Sequence, residues 1–64
     1  ISIEDMRRLF ESGKRQLEKG KAVEELMEIT GKGKSSCYNA LDVKSGRFSK
    51  YLEEIGGLIE WAEK

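Results

Sequence analysis

Three groups of residues in this 64-residue chain could do chemistry: the thiol of Cys37, the tripeptide Gly33-Lys34-Ser35, and a set of cations and hydroxyls between residues 31 and 50. With no histidine and one cysteine, the chain lacks the ligands of an ordinary three- or four-ligand zinc site and the base of a Cys-His dyad or Ser-His-Asp triad. Cys37 cannot form an internal disulfide and reads as an inert, half-buried hydrophobe. Gly33-Lys34-Ser35 matches the tail of the phosphate-loop pattern G-x-x-x-x-G-K-[ST], which also requires glycine at position 28. The chain has Glu28 there, whose carboxylate repels phosphate, so the tripeptide reads as a turn between helices. No acid–base pair, metal cluster or activated nucleophile remains. Neither an enzyme nor a cofactor is expected.

The third group stands out once charge is divided along the chain. Residues 1–30 carry six cations and seven anions, a balance of −1. Residues 31–50 carry Lys32, Lys34, Lys44, Arg47 and Lys50 against Asp42 alone, a balance of +4. Residues 51–64 return to −3 through Glu53, Glu54, Glu60, Glu63 and Lys64. The net charge is zero, yet a basic segment with acidic flanks offers a local surface for an anion such as nucleic acid.

The elements that position this segment follow from glycine placement and apolar spacing. Ser2 and Asp5 form a capping-box pattern, and Ile3, Met6, Leu9, Phe10 and Leu17 then share a side, predicting a first helix to about Lys19, with Gly13 as a point where it bends or ends. Val23, Leu26, Met27 and Ile29 predict a second helix over 21–30, stopped by Gly31. A third opens at Lys34 or Ser35, places Cys37, Tyr38 and Leu41 on one face, and ends near Asp42. Phe48, Tyr51, Leu52 and Ile55 obey the i, i+3, i+4, i+7 rule, predicting a fourth helix over 45–55 that stops at Gly56-Gly57. Leu58, Ile59 and Trp61 read as a short strand, half of a hairpin, with Trp61 covering the open end of the core.

The segment from Tyr38 to Trp61 resembles the winged helix-turn-helix family. Leu41-Asp42-Val43, a tight turn, Arg47-Phe48-Ser49-Lys50-Tyr51-Leu52, Ile55 and Gly57-Leu58-Ile59 match without gaps the pattern A-x-x-L-G-V-S-x-x-T-V-S-R-Y-L followed by a Glu-rich stretch and G-L-I. Three positions depart from it. Asp42 replaces the turn glycine, Lys44 replaces the capping serine so that Ser45 caps instead, and Tyr38 stands where a small residue permits close helix crossing. Cys37 or Ala40 is the alternative contact residue.

The resemblance implies a mainly α fold of three to four helices with a short C-terminal strand or wing. Residues 1–20 form an accessory helix and 21–64 the DNA-binding core. It implies a module for double-stranded DNA that lays helix 45–55 in the major groove, with Ser45, Arg47, Ser49 and Lys50 facing base edges or nearby phosphates and Lys34 and Lys44 holding phosphates. Four neutralised phosphates give a salt slope of about −3.6. Such modules serve transcription regulation or DNA replication. The alternative is a winged helix used for protein contact, as a homodimer or as an accessory domain of a larger ATPase or replication protein, docked through the apolar stripe of residues 3–17. Size adds that this is one small domain with a thin core, read as part of a longer polypeptide. One unpaired thiol and the lack of any apolar run near 20 residues lead to the expectation of a soluble, cytoplasmic protein with no membrane partner.

Overall fold

A computed structural model describes residues 1–63 of the chain. Ser2 and Asp5 close the expected capping box: the Asp5 amide donates to Ser2 Oγ at 3.3 Å, and the Ser2 amide donates back to Asp5 Oδ2 at 2.9 Å. Helix α1 that follows spans Ile3–Phe10 and buries Met6, Leu9 and Phe10. It ends well before Lys19, correcting the longer helix expected from the apolar spacing. Glu11, Ser12 and Gly13 take φ values of 50°, 57° and 93°, and left-handed backbone cannot continue a right-handed helix. Glycine is required at 13 for space as well, because a Cβ there would stand 2.8 Å from the Trp61 carbonyl oxygen. Leu17 is buried as expected, but from a strand, β1, Gln16–Glu18.

Helix α2, Lys19–Thr30, buries Ala22, Val23 and Leu26 and stops at Gly31 in the left-handed conformation, whose amide donates to the Met27 carbonyl at 2.8 Å. Helix α3, Lys34–Ala40, follows after a three-residue connection and buries Cys37 and Ala40. The chain then runs through turns to strand β2, Leu52–Ile55, and back through β3, Leu58–Trp61. Both central turn residues, Gly56 and Gly57, have positive φ, as a two-residue hairpin turn matched to strand twist requires. The antiparallel sheet has the order β1-β3-β2, with Leu17 opposite Ile59 and Leu52 opposite Trp61.

The architecture is therefore α/β, three helices and a three-stranded sheet ending in a hairpin, compatible with a winged-helix layout but not mainly α. The fourth helix expected over 45–55 does not exist. Residues 47–51 form successive turns, with the Tyr51 amide donating to the Phe48 carbonyl and that of Leu52 to the Ser49 carbonyl, and 52–55 pair with β3. The i, i+3, i+4 spacing of Phe48, Tyr51 and Leu52 reports these tight turns, whereas Ile55, the i+7 member, is 55% exposed. Gly56-Gly57 is a hairpin turn, not a helix stop.

Trp61 closes the core as expected. Its ring stacks on Phe10 at 6.4 Å, meets Phe48 edge-on at 6.0 Å and lies 5.1 Å from Tyr51, while its indole N–H donates to Glu63 Oε1 at 2.8 Å. The same carboxylate holds Arg7 through both oxygens, at 2.6 and 3.0 Å, tying the chain's end to α1. The Arg7 guanidinium, then the indole, hold the Glu63 carboxyl down at about 2, and Glu63 in turn raises Arg7. Met6, Leu9 and Phe10 of the α1 stripe are buried within the same chain, where α1 packs on α2 and β3, while Ile3 remains exposed. No helix among the described residues is long and apolar enough to cross a membrane.

Candidate functional site

Helix α3 is short, and its sequence Lys-Ser-Ser-Cys-Tyr-Asn-Ala divides sharply between a buried and an exposed side. At about 100° per residue, Cys37 and Ala40 lie together against α2 and the core. The exposed arc then reads, from one edge to the other, Lys34, Tyr38, Ser35, Asn39 and Ser36. Every member can donate or accept a hydrogen bond, and none carries a carboxylate. Tyr38, expected on the core side with Cys37, is instead 39% exposed on this arc, and Cys37 with Ala40 takes the close-packing role.

Cations flank both edges of the arc. On one side the ammonium groups of Lys19 and Lys34 lie 5.6 and 5.8 Å from the centre of the Tyr38 ring, within cation–π range, which holds two positive charges beside an aromatic face. On the other side a cleft of about 440 Å³ opens between α3 and the turn that follows it. Ser36 and Asn39 form its α3 wall, Lys32, Ser45 and Arg47 supply further polar groups, and Ile1, Ala40, Gly46 and Phe48 complete it. Among the described residues no acidic side chain lines it.

The turn that makes the far wall is built from Asp42. Its carboxylate accepts the amides of Lys44 at 2.9 Å and Ser45 at 3.3 Å and the Ser45 hydroxyl at 3.3 Å, and these bonds, the Lys44 amide first, hold the acid below its ordinary range. Asp42 thus serves the turn through its side chain, and its backbone is not left-handed although it stands where the resemblance puts a turn glycine. Ser45 likewise caps no helix. Gly46 presses the turn onto α3: a Cβ there would overlap the Asn39 carbonyl oxygen and stand 2.6 Å from that of Asp42.

Of the six residues singled out from sequence, the structure brings Lys34, Ser45 and Arg47 to the borders of the α3 arc. Arg47 is exposed, its guanidinium lying 5.2 Å from the centre of the Phe48 ring and donating to the Ile1 carbonyl at 2.9 Å. Lys44 faces a smaller hollow of about 250 Å³ shared with Lys19, Asp42 and Glu54. Ser49 is half-buried and Lys50 exposed in the turns before β2, and neither lines either of these two hollows. Among the described residues the ion pairs join Arg7 to Glu4 and Glu63 and Arg15 to Glu25, and none engages Lys32, Lys34, Lys44, Arg47 or Lys50.

Sequence reasoning missed Ser35, Ser36, Tyr38 and Asn39 as a surface and Lys19 as one flank, and it counted Lys32 in the basic segment without giving it a role. The signal was present. Cys37, Ala40 and Leu41 are the small and apolar residues of this stretch, and taking them as the buried side leaves a polar arc between. A scan against protein-family models finds no match to the chain, and searches of curated proteins and of solved structures likewise find none.

Proposed function

We propose that the chain is a duplex DNA-binding module of winged helix-turn-helix type that reads the major groove with α3, in place of the absent helix at 45–55. One observation carries this reading: the exposed arc of α3 has a neutral hydrogen-bonding centre, Ser35, Tyr38 and Asn39, between two cationic borders. A helix lying in the major groove, about 12 Å wide, meets base edges along its middle and a phosphate strand on either side. The arc has that order of chemistry. Asn39 suits a bidentate contact to adenine, and the Tyr38 ring suits a thymine methyl group. The topology gives support, since α2, a three-residue connection and α3 are followed by the β2–β3 hairpin, an order compatible with a winged-helix layout.

The hairpin is two residues at its tip and carries Glu53, Glu54 and Glu60, so it is repelled by phosphate and adds no second DNA contact. An amide-detected NMR titration with a duplex of about 15 base pairs tests the reading. Shifts concentrated at 34–39 and 44–48, weakening with salt, are expected; a folded domain whose α3 amides stay still refutes it.

A second reading, protein contact, is favoured by the outer face of the sheet. There Ile55, more than half exposed, lies opposite Leu58, with Glu53 opposite Glu60 in the neighbouring register position and Gln16 donating to Glu60 at 2.8 Å. Its chemistry fits a basic, partly apolar segment of a partner. Binding abolished by Ile55→Lys and untouched by changes in α3 would establish that reading instead.

A further inference from the structure

The cleft beside α3 is built for an anion, and its position identifies which one. Its polar side chains are two cations, Lys32 and Arg47, and three neutral ones, Ser36, Asn39 and Ser45, with no carboxylate among them. The nearest acid in the turn, Asp42, is occupied by two amides and a hydroxyl and lines the other hollow. Arg47 spends one N–H on the Ile1 carbonyl, which fixes the guanidinium at the cleft and leaves its other donors unspent on protein in the described structure. Ser36 is the outermost residue of the α3 arc on this side. A helix seated in the groove therefore brings the cleft against the sugar-phosphate strand along that border, while Lys19 and Lys34 face the opposite strand.

Resting on the DNA-binding reading above, we infer that this cleft receives a backbone phosphodiester of the bound duplex, clamped between Lys32 on the α2–α3 connection and Arg47 on the turn after α3. The clamp sets the register of α3 on the DNA. Gly46 is part of the device, because only the absence of a side chain lets the turn carrying Arg47 lie against the Asn39 backbone.

The test is a scan of single neutral methylphosphonate linkages along each strand of a binding duplex, measured with the unaltered chain and with Lys32→Gln, Arg47→Gln and Lys34→Gln. Lys32 sits in an exposed connection, so its substitution keeps the test alive if Arg47→Gln unfolds the domain. The unaltered chain should lose affinity at one or two adjacent linkages of one strand. Lys32→Gln and Arg47→Gln should each lower the salt slope by about 0.9 and no longer respond to those linkages, whereas Lys34→Gln should still respond. Equal linkage profiles for all four proteins, with α3 amides still shifting on DNA, would overturn the clamp and leave the DNA reading standing. No duplex binding by any of them would overturn both. A parallel titration with inorganic phosphate and with adenosine monophosphate separates the sources of phosphate. Weak, unsaturated shifts at Ser36, Asn39 and Ser45 are expected, and saturation at micromolar nucleotide would overturn the backbone assignment in favour of a free nucleotide.

Discussion

Substituting Gly46 by alanine puts a methyl group where backbone already stands. The added Cβ overlaps the Asn39 carbonyl oxygen, lies 2.6 Å from the Asp42 carbonyl oxygen and meets Asp42 Cβ at 3.0 Å. Neither oxygen belongs to a flexible side chain, so relief requires the turn both to lift from the Asn39 carbonyl of α3 and to open internally, straining the bond from the Gly46 amide to the Asp42 carbonyl at 3.2 Å. Overpacking of this kind costs about 1–3 kcal/mol. A domain of 64 residues has a total stability of about 3–10 kcal/mol at the usual yield per residue, and each kcal/mol moves its melting temperature by about 4–8 °C. Gly46→Ala should therefore melt roughly 4–24 °C lower. Gly20 is the internal control: it lies inside α2, a Cβ there meets nothing within 4 Å, and Gly20→Ala should gain up to about 1 kcal/mol from helix propensity. Thermal and urea melts followed by circular dichroism measure both. A Gly46→Ala variant within about 0.5 kcal/mol of the parent would show that the turn is free to move and refute the close seating that shapes the cleft.

Phe48→Ala removes a buried ring from beneath Trp61 and should cost about 3–5 kcal/mol, leaving the chain unfolded or nearly so, whereas Tyr38→Ala should stay within about 0.5 kcal/mol and lose DNA affinity; urea titration and fluorescence anisotropy check the pair. Glu63 is lowered from 4.5 to about 2 in the folded chain, so its contribution is complete above the unfolded value and fades as pH falls from about 4.5 toward 2. The gap in urea midpoint between the parent and Glu63→Gln should thus narrow over that window, and a gap constant from pH 6 to 2.5 would contradict the Arg7 pairing. With Lys19, Lys32, Lys34 and Arg47 on the borders of α3, DNA affinity should fall against salt with a log–log slope of about −3.6, and duplex RNA, whose narrow major groove excludes a helix, should bind far more weakly.

The elements that sequence reasoning placed correctly are those whose signal is local. The Ser2–Asp5 box, the Gly31 stop and the Trp61 strand each depend on neighbours within a few residues. The two misplaced helices depended on partners far along the chain. Leu17 satisfies helical spacing from α1 and strand pairing with Ile59 equally well, and only the left-handed run at 11–13 decides between them. Residues 48–55 carry a helical apolar pattern, but Gly56-Gly57 between two apolar runs is also a strong hairpin signal, and tertiary pairing with β3 prevails. That one choice moved the candidate reading surface. Once 52–55 is a strand, α3 is the last helix of the fold, and under the DNA-binding proposal the polar residues of interest shift from 45–50 back to 34–39, with Arg47 kept at the border.

Zero net charge is compatible with a polyanionic partner because of the size of the molecule. Its principal extents are 25, 19 and 18 Å, two to three times the Debye length of about 8 Å at physiological salt. A phosphate at the cleft beside α3 would therefore feel Lys32 and Arg47 at close range, while carboxylates more than a Debye length away are screened. At distances beyond the domain the two signs cancel and attraction is weak. If the DNA-binding proposal holds, such a molecule would gain little from long-range steering and more from the close-range charges of the cleft. On the DNA-binding proposal, Glu54 of the hairpin, which shares a hollow with Lys19, Asp42 and Lys44, offsets the cations on that border of α3, so lowering the salt should strengthen contacts on the Lys32–Arg47 side more than on the Lys19 side.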